Sequence, residues 1–313
     1  MPDPVIQVRG LRKSYGELEA VRGIDLEVGA GEIFAFLGPN GAGKTTTVEI
    51  LEGYRTRSAG EVTVLGEDPS SAPRSWRERV GLVLQECRLV PELTAREAVS
   101  QYAGYYSAPR DVEQTIALVG LGEKAEARTS TLSGGQQRRL DVALALIGDP
   151  ELLFLDEPTT GFDPSARRQA WELIRSMREL GKTVFLTTHY MDEAQVLADR
   201  AAIIVRGRLI AEGDPDRLGG RDSAQAVISF RLPPGASAAS LPSGFAQTPE
   251  RSHPDEISCA SSDPVADLGT LLAWAARNGG QLPGLEVRRP SLEDVYLRLT
   301  GDAANGAAQE QPR

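Results

Sequence analysis

The chain is 313 residues long, enough to bury a large core and to divide into one full domain and a smaller one. A formal net charge of −10, from 44 acidic against 34 basic side chains, argues against a nucleic-acid groove as the main working surface. Cys87 and Cys259 lie far apart, and neither has a Cys or His neighbour at ligand spacing, so the sequence indicates no disulfide framework and no zinc site and fits a reducing compartment.

The opening stretch, MPDPVIQVRG, lacks the apolar run of a signal peptide, and the longest apolar runs, such as AAIIV at 201–205, are too short to cross a bilayer. A soluble chain is expected. EIFAFLG at 32–38 is apolar almost throughout, as a buried parallel strand is. It runs into GPNGAGKTT at 38–46, and KTTTVEILEG continues as a helix. VGLVLQ reads as a strand ending at Gln85. A mainly helical lobe, about 86–150, follows. Within it Thr94 and Glu97 stand at capping-box spacing, and DVEQTIALVG ends at a glycine cap, Gly120. LLFLD at 152–156 and TVFLTT at 183–188 are two more buried strands, so strands alternate with helices in the pattern of an α/β sheet.

After GGRDSA at 219–224 the composition shifts toward Pro, Ser and Gly. The sequence therefore predicts a first domain over 1–220 and a small α+β domain over 221–300. The second has strands at AVISFRL and LEVRR and helices at ADLGTLLAWAARNG and SLEDVYLRLT. The tail at 301–313 has little apolar content and reads as disordered.

GPNGAGKTT matches the phosphate-binding pattern G-x-x-x-x-G-K-[ST], and it lies between a strand and a helix as that pattern requires. Gly38, Asn40, Gly41, Ala42 and Gly43 would wrap the phosphates with backbone N–H groups, and Pro39, which has none to give, lies in the same loop. Lys44 would reach the β and γ phosphates, and Thr45 would ligate Mg²⁺, with Thr46 beside it. Asp156 and Glu157 follow a buried strand at its C-terminal end, where ligands of open parallel sheets bind. Asp156 suits Mg²⁺, and Glu157 is placed to orient and deprotonate an attacking water. A nucleoside triphosphate hydrolase is expected.

A second glycine-rich run, LSGGQ at 132–136, narrows the class. The stretch TLSGGQQRRLDVALALIGDPELLFLDEPTTGFDP resembles the ATP-binding-cassette family in its signature motif, Walker B strand and D-loop, in order and spacing. The resemblance extends over about residues 5 to 215. It implies a P-loop ATPase cassette: a RecA-like core with a mixed sheet plus a helical subdomain. Gln85 matches the Q-loop, a Mg²⁺ and catalytic contact; His189 matches the H-loop; Tyr15 matches the aromatic that stacks on adenine. Ser133, Gly134, Gly135 and Gln136 are then the signature, which in this family faces the ATP of a second copy in a head-to-tail dimer. Asp163 would cross the same interface. Phe162 stands where the family usually has Leu, which leaves the packing of this loop open. Arg138 and Arg139 read as a solvated or interdomain face rather than as catalytic fingers.

The resemblance implies ATP and Mg²⁺ as cofactors, a separate membrane permease as partner near the Q-loop and helical lobe, and a place on the cytoplasmic face of the membrane. RRPSLEDVYLRLTG at 288–301 resembles the closing segment of daunorubicin-resistance-type exporter ATPases, which points to export of a drug-like or lipophilic substrate. An importer subunit and a soluble cassette ATPase of translation or DNA repair are the alternatives. A regulatory binder that never turns over is disfavoured by Glu157 and His189.

Overall fold

A computed structural model of the chain describes residues 4–83, 90–220, 225–233, 235–245, 256–288 and 291–297. Gln85 and the tail at 301–313 lie outside the described residues. The chain divides into two compact units, Met1–Pro215 and Asp216–Arg313.

The first unit begins with strands β1 (Ile6–Tyr15) and β2 (Leu18–Val28), then β3 (Ile33–Leu37) and helix α1 (Lys44–Leu51). Next come β4 (Ala59–Val64), α2 (Arg74–Glu78) and β5 (Val80–Val83). The helical lobe supplies α3 (Ala95–Ala103), α4 (Val112–Leu118) and α5 (Gly134–Leu146). The chain returns through β6 (Leu152–Asp156), α6 (Pro164–Glu179), β7 (Thr183–Thr188), α7 (Met191–Leu197), β8 (Arg200–Val205) and β9 (Arg208–Gly213).

Six of these strands form one sheet in the order β5-β6-β7-β3-β8-β9, parallel except for β9, which runs antiparallel to β8. The sheet is mixed, and the unit is α/β. A second sheet, β2-β1-β4, is wholly antiparallel. It was not legible in the sequence, because the register of β1 against both neighbours is broken by irregularities and its polar outer face interrupts the apolar pattern.

One core joins the two sheets. Phe34, Phe36 and Phe154 each lie 5.6 Å from the ring of Phe185, and Ile6, Leu11, Ile24 and Leu26 of the antiparallel sheet belong to the same buried cluster. Truncating such a buried aromatic costs about 3–5 kcal/mol. Residues alternating with these, such as Ala35 and Leu186, are buried as well, and α6 packs on β7 while α7 packs on both β7 and β3. The expected cap of α3 is present: Thr94 accepts from the N–H of Glu97, whose carboxylate accepts from the N–H of Thr94. Past α4 the chain closes with bonds from the N–H groups of Gly120 and Leu121 to Ala117 and Ile116.

The second unit is built on a three-stranded antiparallel sheet, β11-β10-β12, from β10 (Ala226–Arg231), β11 (Glu256–Ser261) and β12 (Glu286–Arg288). Helix α8 (Pro264–Arg277) contributes Leu271 and Trp274 to a small core with Ile228, Phe230, Phe245 and Ile257. The small α+β unit is as expected, except that β11 was unread because ISCAS holds one strongly strand-forming residue, Ile257, among small ones.

Candidate active site

The geometry of the site starts from sheet register. Leu37 pairs with Thr188 and Asp156 with Thr187, so β3, β6 and β7 end side by side. Asp156 ends β6 itself, and the loops leaving those ends carry the glycine-rich run, Glu157 and His189.

The glycines at 38 and 43 are required by their surroundings. A Cβ on Gly38 would lie 2.4 Å from the carbonyl of Ile204, and Gly43 has φ 107° with the carbonyl of Ala20 2.6 Å from where its Cβ would stand. Gly43 caps α1, leaving the first backbone N–H groups of that helix unpaid by any side chain. The cradle therefore suits a phosphate chain. Lys44, 6% exposed, donates to the carbonyls of Gly38 at 2.7 Å and Pro39 at 3.3 Å. Burial lowers its pKa from the ordinary lysine value, against the opposing charges of Glu157 and Asp156. Thr45 is exposed in the first turn. Tyr15, 39% exposed, has its hydroxyl 3.5 Å from that of Thr46, and Lys13 and Arg55 each stand 5.3 Å from its ring centroid.

Glu157 is the point of convergence. Its backbone lies in the left-handed region at φ 44°, held there by bonds from its N–H to the carbonyl and hydroxyl oxygens of Thr187, both at 3.1 Å. The hydroxyl of Thr160 donates to Oε2 at 3.1 Å, and Lys44 Nζ is 3.9 Å from Oε1. His189 Nδ1 lies 3.2 Å from Oε1, off the alignment of a hydrogen bond. Beside it, Asp156 accepts a short hydrogen bond from the Thr187 hydroxyl. The residues fit a magnesium nucleotide: Thr45 and Asp156 offer oxygen ligands of the kind Mg²⁺ prefers, with phosphate oxygens completing the set.

Ser133 and Gln136 close a capping box at the start of α5, and Ser133 and Gly134 are exposed. They share an open groove of about 580 Å³ with Gly135, Phe162 and Asp163. Asp163 caps α6 by accepting from the N–H groups of Ser165 and Ala166. Phe162 also lines a small apolar pocket with Val142, Leu155, Leu173 and Ile174, so the larger side chain is accommodated between α5 and α6.

Two residues were misread or missed. Arg138 is not solvated: its side chain is 11% exposed and donates to the carbonyls of Asp156 and Pro158, because α5 packs under the loop they form. Glu193, fully buried in α7, accepts from the Thr159 hydroxyl at 2.9 Å and the Trp171 indole at 3.1 Å, and burial raises its pKa. The available signal was a carboxylate beside Ala194 and four residues before Leu197, on the inward face of the helix.

A phosphate cradle at a strand-to-helix turn, with two carboxylates ending a neighbouring parallel strand and a glycine-rich helix start, defines a P-loop ATPase of the cassette type. The model of the ABC transporter family matches residues 21–160, and that of the ABC transporter domain-containing protein-like C-terminal domain matches residues 226–291. The Nod factor export ATP-binding protein I of Burkholderia lata is 41% identical over 96% of this chain and 98% of its own. The protein of the same name from Rhizobium meliloti is 42% identical over 96% and 89%. The chain belongs to the ABC transporter family and is one of its ATP-hydrolysing subunits. Among solved structures, cbiO1 from Clostridium perfringens, part of the ABC transporter complex cbiONQ, superposes with a TM-score of 0.64 at 29% identity, over 69% of this chain and 90% of that one. The ATP-binding cassette MJ0796, solved as a post-hydrolysis dimer bound to ADP and phosphate, gives 0.60 at 26% identity, over 67% and 98%.

Proposed function

We propose that this chain powers export through a separate membrane subunit, hydrolysing ATP with Mg²⁺ at a site completed by a second copy of itself. The convergence of Lys44, Thr160 and His189 on Glu157 carries the hydrolytic reading. Glu157 takes a proton from water as the water oxygen attacks the γ phosphorus, and the bond to the bridging oxygen of ADP breaks. Lys44 exchanges its loop carbonyls for β and γ phosphate oxygens, and His189 meets the γ phosphate. Tyr15 stacks on the base. Thr45 and Asp156 would hold the Mg²⁺, with Gln85 assigned beside them by its motif alone, and the ion would neutralise charge developing on the phosphates.

The exposed helix start at Ser133, Gly134 and Gly135 would grip the ATP of the second copy, with Asp163 alongside. Export, rather than import, is favoured by full-length relatives named for export and by the second unit those relatives share. The cargo is drug-like or lipophilic on this reading, and its pocket belongs to the permease. A cleft of about 460 Å³ lined by Glu52, Tyr54, Trp76, Tyr102 and Tyr106 is a suitable seat for that partner. Among the described residues no helix is long and apolar enough to cross a membrane, so the permease would place the chain on the cytoplasmic face.

Mixing two dead variants tests the arrangement. Lys44→Ala removes one end of the site, and Ser133→Arg the other. If the two glycine-rich runs act in one chain, mixing restores nothing. If they act across a dimer, a mixed pair has one intact site and occludes about one ATP. An equimolar mixture with confirmed mixed dimers that traps no more ATP than either variant would refute the trans role. Co-purification from membranes would identify the permease, and transport of lipophilic compounds by the reconstituted pair would test the cargo.

A further inference from the structure

His189 is one of only two histidines in the chain, and its Nδ1 makes no hydrogen bond. That nitrogen approaches Glu157 Oε1 at 3.2 Å without the alignment of a hydrogen bond, so the contacts on the face of the ring matter for its direction. Tyr190 lies against it, with ring centroids 4.1 Å apart and planes tilted by 38°. The guanidinium of Arg167 stands 4.3 Å from the centre of the Tyr190 ring, and its Nη1 donates to Asp192 at 3.0 Å. The Arg167 Nε is buried and forms no hydrogen bond, so the group is committed to the ring and to Asp192.

We propose that Arg167 and Tyr190 are positioning residues for His189, a stack that fixes the imidazole relative to helix α6. Arg167 sits one turn after Asp163, the residue that caps this helix, and its own N–H bonds to the Asp163 carbonyl at 3.0 Å. One turn further on, Trp171 reaches Glu193 in α7. The two helices are thus joined at two successive turns, and a displacement of Asp163 is carried through Arg167 to the His189 ring. This inference rests on the reading of His189 as a γ-phosphate contact and of Asp163 as a residue at the interface between copies. On that reading, docking of the second copy at Asp163 turns His189 toward the phosphate.

The test uses the full-length protein with ¹⁵N-labelled imidazoles, where His253→Asn assigns the only other histidine. In Arg167→Ala and Tyr190→Ala the His189 ring signals should move beyond their line width, while Arg167→Lys and Tyr190→Phe leave them close to wild type. The two alanine variants should lose roughly tenfold in kcat with KM for ATP changed less than about twofold, and the conservative variants should restore it. The loss should vanish in a His189→Ala background. Unmoved His189 signals in Arg167→Ala, or the same loss with and without His189, overturn the inference. If Arg167→Ala does not fold, Tyr190→Leu, which leaves the pair with Asp192 in place, reads the same stack. The spectroscopic arm needs no turnover, so full activity in His189→Ala would sink the catalytic reading of His189 while the ring signals still decide the positioning.

Discussion

Arg138 donates through Nη2 to the main-chain carbonyl of Asp156 at 3.0 Å and through Nε to that of Pro158 at 3.3 Å. The helix that begins at the signature serine thereby holds the loop carrying the site's own carboxylates, and the same chain links the surface proposed to meet a second copy with the centre of its own site. Arg138→Leu should strand those carbonyls and destabilise the first unit by about 1–3 kcal/mol. Thermal unfolding checks this, together with a fall in kcat at saturating ATP. An unchanged Tm would mean that the bonds are replaceable.

Lys44 has opposite effects on folding and on binding. Because its folded pKa is below the ordinary 10.5, the unfolded chain holds the proton more tightly, and the penalty is fully present below the lowered value and fades as pH rises toward 10.5. Lys44→Met should therefore match or exceed the wild type in Tm without nucleotide at neutral pH. It should also lose the rise in Tm that ATP gives the wild type by mass action. A variant that keeps the ATP-dependent rise would count against the cradle.

Glu157→Gln preserves the shape of the site and removes the base. ATP hydrolysis should fall by at least ~10²-fold while nucleotide binding persists. Analytical ultracentrifugation with ATP and Mg²⁺ should show dimers accumulating. Wild-type turnover would reassign the base.

Glu52 gives the first unit a pH dependence. Burial, with the charges of Asp156 and Glu49 beyond it, raises its carboxyl from 4.5 to about 8. A carboxyl with a raised folded pKa stabilises the fold fully below 4.5, and that contribution is lost as pH rises through about 8. Glu52→Gln should therefore raise Tm at pH 8.5 relative to wild type and gain less at pH 5, measured without nucleotide or metal. Parallel Tm curves for the two proteins would refute the assignment.

Local motifs were legible because their chemistry is local. A phosphate cradle is nine consecutive residues between a strand and a helix, so Gly38 to Thr46 could be placed from the sequence, as could Asp156 and Glu157 at the end of LLFLD. The capping box of Thr94 and Glu97 was readable for the same reason, since both partners lie within one turn. The antiparallel sheet was not. Its pairing brings Ile6 beside Val64, and no short-range pattern encodes a partner that far along the chain.

The sequence by itself determined the phosphate-cradle motif, the carboxylate pair after a buried strand and which family the chain resembles, because motifs of that kind are written in a few consecutive residues. Only the tertiary structure decided how those side chains meet. The approach of Lys44 to Glu157 across more than a hundred residues, the bracing of Asp156 by Arg138, the burial of Glu193 against Thr159 and Trp171, and the stack of Arg167 on Tyr190 all depend on the packing of separate helices and on the register of β3, β6 and β7. Contacts of that kind arise only when a cooperative core brings distant segments to one end of one sheet.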